Sequence, residues 1–237
     1  MLIRNLIRAP KGAIAKTVIL PGDPLRSKHF AETFLQDVHC YSEVYGLFGY
    51  TGTYQGVPVS IQTSGMGTTA MTECAHQLIE NFGCENLIRV GSCASNHEKI
   101  HVGDVILSTA CACESNCNVP EFGNYDFVPT GDFELMRIAY AFAKEVGIPL
   151  HVGVTGCYDL LYRDLDEIPL LCSEMEGAAL LSVAARYPHV KAMLLMTCGS
   201  HLTRTDEFIP AAKRSQGMFD SMMKLALEVA VHRNGGI

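Results

Sequence analysis

Arg89 stands inside an apolar run, Leu87-Ile88-Arg89-Val90, and is followed by Gly91-Ser92. A charge in such a strand is buried, and a buried charge without a partner costs several kcal/mol. The partner is either a core acid or an anionic ligand. Gly91 permits close backbone approach, and Ser92 supplies a hydroxyl and an N–H, which suits phosphate or carboxylate. A second arginine lies in Gly22-Asp23-Pro24-Leu25-Arg26, in the first turn of a helix capped by Asp23 and opened by Pro24. The helix dipole disfavours a cation there by about 0.3–1 kcal/mol, and an anion bound at the helix N-terminus reverses that cost. The plain alternative is an exposed arginine lying over the surface.

Three further groups carry two readings each. Ser173-Glu174-Met175-Glu176 precedes Gly177-Ala178-Ala179. Either Ser173 caps a helix with acids in its first turn, or a carboxylate accepts hydrogen bonds from two adjacent sugar hydroxyls. Gly65-Met66-Gly67 is either a tight turn with a core methionine or a glycine-flanked apolar face for a flat ligand. Cys111-Ala112-Cys113 with Cys117 lacks the paired C-x-x-C of structural zinc sites, so incidental thiols and no metal are expected.

The elements that must position these residues alternate between strand and helix. Thr17–Leu20 reads as a strand stopped by Pro21-Gly22-Asp23-Pro24. Tyr50–Tyr54 and Val57–Gln62 flank Gln55-Gly56 as a hairpin. Ala70, Met71, Cys74, Ala75, Leu78, Ile79 and Phe82 form one helical stripe. Strands follow at Leu87–Val90, Val105–Leu107, His151–Thr155 and Ala192–Cys198. Helices follow at Phe133–Val146, Glu176–Tyr187 and a last segment burying Met218, Phe219, Met222, Met223, Ala226, Val229 and Ala230. With no linker dividing the chain, the expectation over residues 1–237 is a single α/β domain. Its central sheet is mixed and mostly parallel, with helices on both faces. Ligands of such sheets bind beyond the carboxyl ends of the strands. The glycine-containing switches at Gly22–Arg26, Arg89–Ser92 and Cys198-Gly199-Ser200-His201 fall there.

Composition narrows the function classes. The 237 residues carry 18 Lys+Arg against 25 Asp+Glu, a net charge of −7. That disfavours nucleic acid as a partner, which needs a basic face. At 48% hydrophobic and 18% charged, the chain has ample core and is not globally disordered. No apolar run approaches the roughly 18–20 residues of a membrane span, and the N-terminus lacks a signal-peptide pattern. Ten scattered cysteines in a chain with a good core point to free thiols in a reducing cytoplasm.

Taken in order, the motifs resemble the purine-nucleoside and uridine phosphorylase family, in particular its hexameric purine type. The likeness rests on Gly22-Asp23-Pro24-Leu25-Arg26, Ala31-Glu32-Thr33-Phe34-Leu35, Gly49–Tyr54, Gly65-Met66-Gly67, Ile88–Cys93, Glu174-Met175-Glu176 and Met222–Glu228. The resemblance implies phosphorolysis of a nucleoside to free base and ribose 1-phosphate, with phosphate as co-substrate and no cofactor. It implies phosphate binding by Gly22, Arg26, Arg89 and Ser92. It implies a ribose and base site at Met66, Glu174, Met175, Glu176 and Gly199, with Glu176 on the ribose hydroxyls. It also implies a homo-oligomer, a hexamer built of dimers that complete each other's sites.

The departures cluster around the base. The position of the family's proton-donating aspartate is Ser200, a poor acid, with His201 beside it as a stand-in. General acid catalysis is typically worth about 10²–10⁴-fold, so the change is consequential. Arg214 resembles the arginine that assists that aspartate. Tyr45 replaces an arginine lent by the neighbouring subunit, and Arg4 and Asn5 are the nearest polar groups to a missing N-terminal histidine. Gly156 replaces a base-stacking phenylalanine, and Tyr158 or Tyr162 is the candidate substitute. The segment from Asp159 to Ser173 is short for the family. Uridine phosphorolysis is the competing reading, supported by Arg204-Thr205 and Ile209-Pro210. Against it, the residues that would read uracil are Leu165 and Glu167. A nucleosidase and a nucleoside-binding protein without catalysis are further alternatives.

Overall fold

A computed structural model of the chain describes residues 6–123, 125–160, 170–214 and 217–234. Its strands are β1 (Thr17–Pro21), β2 (Gln36–Ser42), β3 (Gly49–Tyr54), β4 (Val57–Gln62), β5 (Asn86–Ser95), β6 (Val105–Cys113), β7 (Leu150–Cys157), β8 (Ser173–Glu174) and β9 (Lys191–His201). Its helices are α1 (Pro24–Phe34), α2 (Gly67–Phe82), α3 (Val119–Phe122), α4 (Phe133–Val146), α5 (Gly177–Ala185), α6 (Ala211–Arg214) and α7 (Asp220–Asn234).

The strands form one nine-stranded mixed sheet in the order β2-β3-β4-β1-β5-β8-β7-β6-β9, and β9 also pairs with β5. That extra pairing closes β5, β9, β6, β7 and β8 into a ring. Along one edge β5 changes partner. It pairs in parallel with β1 as far as Pro21↔Val90, then antiparallel with β8 at Ala94↔Ser173. Its other edge pairs with β9 from Asn86 to Ser95. The gap between the ends of β1 and β8 is a switch in strand order, the place where open α/β sheets bind ligands.

Two apolar layers hold the sheet. One packs α2 and α5 against Val18, Leu20, Leu87, Leu194 and Met196, and the other packs α1, α4 and α7 against Ile19, Ile88, Val90, Met193 and Leu195. Alternate residues of one strand thus serve opposite layers. α7 buries Met222, Met223, Leu225, Ala226, Leu227, Val229 and Ala230, and Phe219 just before it is buried too, whereas Met218, expected in that stripe, precedes the helix and is exposed.

Local chemistry sets the boundaries. Asp23 caps α1, its carboxylate accepting from Leu25 N at 2.8 Å, and Pro24 occupies the first turn. Gln55 and Gly56 turn the β3–β4 hairpin with φ of 50° and 79°, the left-handed pair of a tight primed turn. Gly147 ends α4 in the left-handed conformation. α5 starts at Gly177 rather than Glu176. Glu174, not Ser173, satisfies its first amides, accepting from Glu176 N at 2.9 Å and Gly177 N at 2.8 Å. Among the described residues no helix is long and apolar enough to cross a membrane.

Leu87 is fully buried in the layer beneath α2 and α5. Leu87→Ala is expected to lower unfolding free energy by about 2–5 kcal/mol, read from urea denaturation, with no change in the slope of the transition.

Candidate active site

Arg89 leaves β5 at the switch in strand order and is 3% exposed. Its Nε donates to Glu174 Oε2 at 3.1 Å and its Nη2 donates to Glu176 Oε2. The guanidinium folds back over Gly91, where a Cβ would lie 2.7 Å from Nη2. Residue 91 must therefore lack a side chain. Both partners of Arg89 come from the β8–α5 junction, and both are buried. Glu176 also accepts from Gly67 N at 2.7 Å through its other oxygen, which fixes the carboxylate against the start of α2. Burial acts to lower the Arg89 pKa, but the Glu176 and Glu174 carboxylates outweigh it and the value rises. Burial raises the pKa of Glu174, opposed by Arg89 and reinforced by Glu176. The core-acid and anion-ligand readings of Arg89 thus coexist. Nε and Nη2 serve the acids, while buried Nη1 has no hydrogen-bond partner among the described residues.

Arg26 supplies a second buried guanidinium, 5% exposed, stacked over Phe219 at 4.7 Å from the ring centroid. Its Nε is buried with no hydrogen-bond partner among the described residues. Its pKa falls to about 10, chiefly by burial, with Asp23 opposing and the positive charges of Arg89 and Arg214 adding to the depression. Two cations within electrostatic reach, each with an open buried donor, form a site that an anion would neutralise. The first amides of α1 are engaged by Asp23, so the site's charge rests on the guanidinium groups rather than on the helix end. Gly22 borders it: a Cβ there would lie 3.9 Å from Arg89 Nη1 and 3.1 Å from Gly65 O. Ser92 follows on β5, partly exposed.

Met66 is 80% exposed between Gly65 (φ 79°) and Gly67 (φ 87°). It lines a cleft of about 590 Å³ together with Thr68, Glu73, Ser115, Cys117 and Asp159. Thr68 Oγ1 donates to Asp159 Oδ1 at 2.9 Å, joining α2 to the end of β7. Met175 is half-buried between Glu174 and Glu176. The space above Gly156 is filled by an aromatic ring, since a Cβ there would lie 2.5 Å from Tyr158 Cε2. Gly199 is buried on β9 beneath Arg214, whose Nη2 donates to Gly199 O at 3.2 Å and whose Nε donates to Ile209 O at 2.8 Å. A Cβ at position 199 would lie 3.0 Å from the guanidinium carbon.

Other expected groups sit elsewhere. His201, the expected stand-in acid, is buried with Nδ1 accepting from Arg204 N at 3.0 Å and Nε2 3.3 Å from His97 O. Those bonds tie it to the turn at Arg204 and to the loop after β5, leaving the partly exposed Ser200 one residue earlier. Tyr45 projects outward, 80% exposed, with φ 54°. Arg4, Asn5, Tyr162, Leu165 and Glu167 lie outside the described residues. Among the described residues no group of three or more His, Cys, Asp or Glu could hold a metal ion. Sequence reasoning missed Asp159 and Thr68, which carry no local motif, and it left Glu174 without its ion-pair role. A buried Arg89 in need of an acid was the available signal for that role.

Residues 16–227 match the model of the phosphorylase superfamily. The chain is 42% identical over 229 residues to a DeoD-type purine nucleoside phosphorylase of Clostridium beijerinckii, covering 94% of this chain and 95% of that one. It is 41% identical to the DeoD-type enzyme of Bacillus subtilis, covering 93% and 96%. In fold it is similar to the crystal structure of a purine nucleoside phosphorylase from Toxoplasma gondii in complex with immucillin-H. That match has a TM-score of 0.84 and 17% identity, and covers 99% of each chain.

Arg89→Met removes the cation from between two buried carboxylates. A loss of about 3–5 kcal/mol of stability is expected at neutral pH. The unpaired Glu174 then binds its proton more tightly folded than unfolded, so its penalty appears as pH rises above about 4. The deficit should shrink toward acid, which denaturation of wild type and variant across pH checks.

Proposed function

The chain belongs to the phosphorylase superfamily, and from that premise we propose that it cleaves purine nucleosides with phosphate, releasing the free base and ribose 1-phosphate. The carrying observation is the pair of open buried donors, Arg89 Nη1 and Arg26 Nε. The 42% and 41% identity to DeoD-type enzymes over nearly the whole chain supports purines as the substrate class.

In this reading phosphate lies between Arg26 and Arg89, against the Gly22 turn, and takes further hydrogen bonds from Ser92. Each Glu176 oxygen already accepts one hydrogen bond, from Gly67 N or from Arg89. A second lone pair on each remains to accept from the ribose 2′- and 3′-hydroxyls. Because Glu176 is bonded to Arg89, the sugar and the anion are held by one connected network. Met66 covers the ribose, while Glu174, Met175, Gly199 and the Tyr158 ring border the base. As the glycosidic bond lengthens, positive charge grows on the ribose and the phosphate dianion beneath it both stabilises that charge and attacks. The chain contributes positioning and preorganised charge.

Ser200 occupies the position facing the departing base, and His201 acts as a positioning group that fixes the strand end carrying it. Phosphate is the co-substrate and no cofactor takes part. The same reading carries a dimer-based hexamer, supported by outward-facing Tyr45 and Met66, and a cytoplasmic location, supported by ten free thiols.

Free base should appear from inosine, adenosine or guanosine only when phosphate is present. Release without phosphate would instead mark a nucleosidase, and turnover of uridine alone would overturn the purine reading. Ser200→Asp should raise kcat about 10²-fold or more on purine nucleosides by restoring an acid. An unchanged kcat would remove Ser200 from the leaving-group site.

A further inference from the structure

Three thiols cluster behind the cleft wall, with Cys117 on its rim, and take no part in phosphorolysis. Cys113 ends β6 in parallel register with Cys157 at the end of β7. Cys117 lies in the 3₁₀ turn Asn116–Asn118 and lines the cleft opposite Met66 and Thr68. The Cys113 and Cys117 sulfur atoms are 3.6 Å apart. Ser115 holds the turn between them: its carbonyl accepts from Cys113 Sγ at 3.3 Å and its hydroxyl accepts from Cys117 N at 3.1 Å. Both cysteines are partly exposed, unlike Cys111 and Cys157, which are buried.

We propose that Cys113 and Cys117 are a peroxide-responsive pair that forms a reversible disulfide at the rim of the cleft. The two sulfur atoms need approach by only about 1.5 Å to reach bonding distance, and both belong to one surface turn that can make that movement. Electrostatics assign the roles. The thiols of Cys117 and Cys157 donate to the Cys113 sulfur and draw its pKa down, with burial opposing. Cys117 is pushed up, first by that donation, then by burial, with the Asp159 carboxylate adding to it. Cys113 is therefore the more readily ionised thiol of the pair, and on losing its proton it exchanges its bond to the Ser115 carbonyl for those from Cys117 and Cys157, becoming the thiolate that reacts.

The Cys113 thiolate attacks one oxygen of hydrogen peroxide, the O–O bond breaks, and hydroxide leaves to take a proton. Cys113 becomes a sulfenic acid. Cys117 then attacks the Cys113 sulfur, and the hydroxyl leaves as water with the Cys117 proton. Two thiols are oxidised and one peroxide is reduced to two waters. A loop this short gains little from closure, so the bond is easily reduced, as a switch rather than a scaffold requires.

The test exposes the intact protein to hydrogen peroxide, removes the peroxide, unfolds the chain without reductant in the presence of an alkylating agent, and maps the non-reduced peptides by fragmentation mass spectrometry. The expected result is a Cys113–Cys117 bond, two hydrogens lighter than the dithiol, with the other cysteines alkylated and the bond lost on adding dithiothreitol. In Cys117→Ser, Cys113 should stop at sulfenic acid or proceed to higher oxides, without a disulfide. Pairing of Cys113 with Cys111 or Cys157, or full alkylation of Cys113 and Cys117 after peroxide, would overturn the proposal.

Discussion

A cation buried between two carboxylates governs this molecule. Removing Arg89, Glu174 and Glu176 from water carries a desolvation cost that their mutual attraction must offset. The arrangement is saturated on one side and open on the other. Nε and Nη2 are taken by Glu174 and Glu176, whereas Nη1 has no partner among the described residues. Arg26, also buried, repeats the pattern with its Nε. Arg26, its pKa lowered to about 10 chiefly by burial and further by the charges of Arg89 and Arg214, is poorly matched to Arg89 and well matched to an anion they share. In the proposed reading, that polar cost is converted into affinity for phosphate on binding.

The fold creates that place by a change of strand partner. β1 ends at Pro21, β5 runs on to Ser95, and the vacated edge is taken by two-residue β8. Into the resulting gap come the Gly22 turn, the Arg89 side chain and the Glu174–Glu176 corner. Glu174 serves both structure and site, since the carboxylate that pairs with Arg89 also satisfies the first amides of α5. Glycines at 91 and 199 are spaces for guanidinium groups, not hinges.

Elements set by local chemistry were legible in the sequence. The Pro21–Pro24 punctuation, the Gln55-Gly56 turn and the Phe133–Val146 helix with its Gly147 stop all stand at or near their expected bounds, because capping and turn geometry depend on neighbours in the chain. β2 was not legible: Gln36–Ser42 is mostly exposed and polar, and pairs only at the edge of the sheet. β8 was not legible either, being held by one long-range pairing to β5 and two to β7. β5 was read too short because Gly91-Ser92 resembles a stop, yet pairing with β9 carries it onward. Within the site, the need of Arg89 for charged partners could be argued from its apolar neighbours. That both acids would come from one corner far along the chain could not, since only tertiary packing brings them together. The Tyr158 ring over Gly156 is similar: the loss of an aromatic was visible, and its replacement depended on how β7 ends.

The most direct measurement is a crystal structure of the protein with phosphate and a non-hydrolysable purine nucleoside analogue. One phosphate should accept hydrogen bonds from both Arg89 Nη1 and Arg26 Nε, with the ribose hydroxyls on Glu176. A phosphate bound away from either guanidinium, or a sugar that does not touch Glu176, would contradict the account.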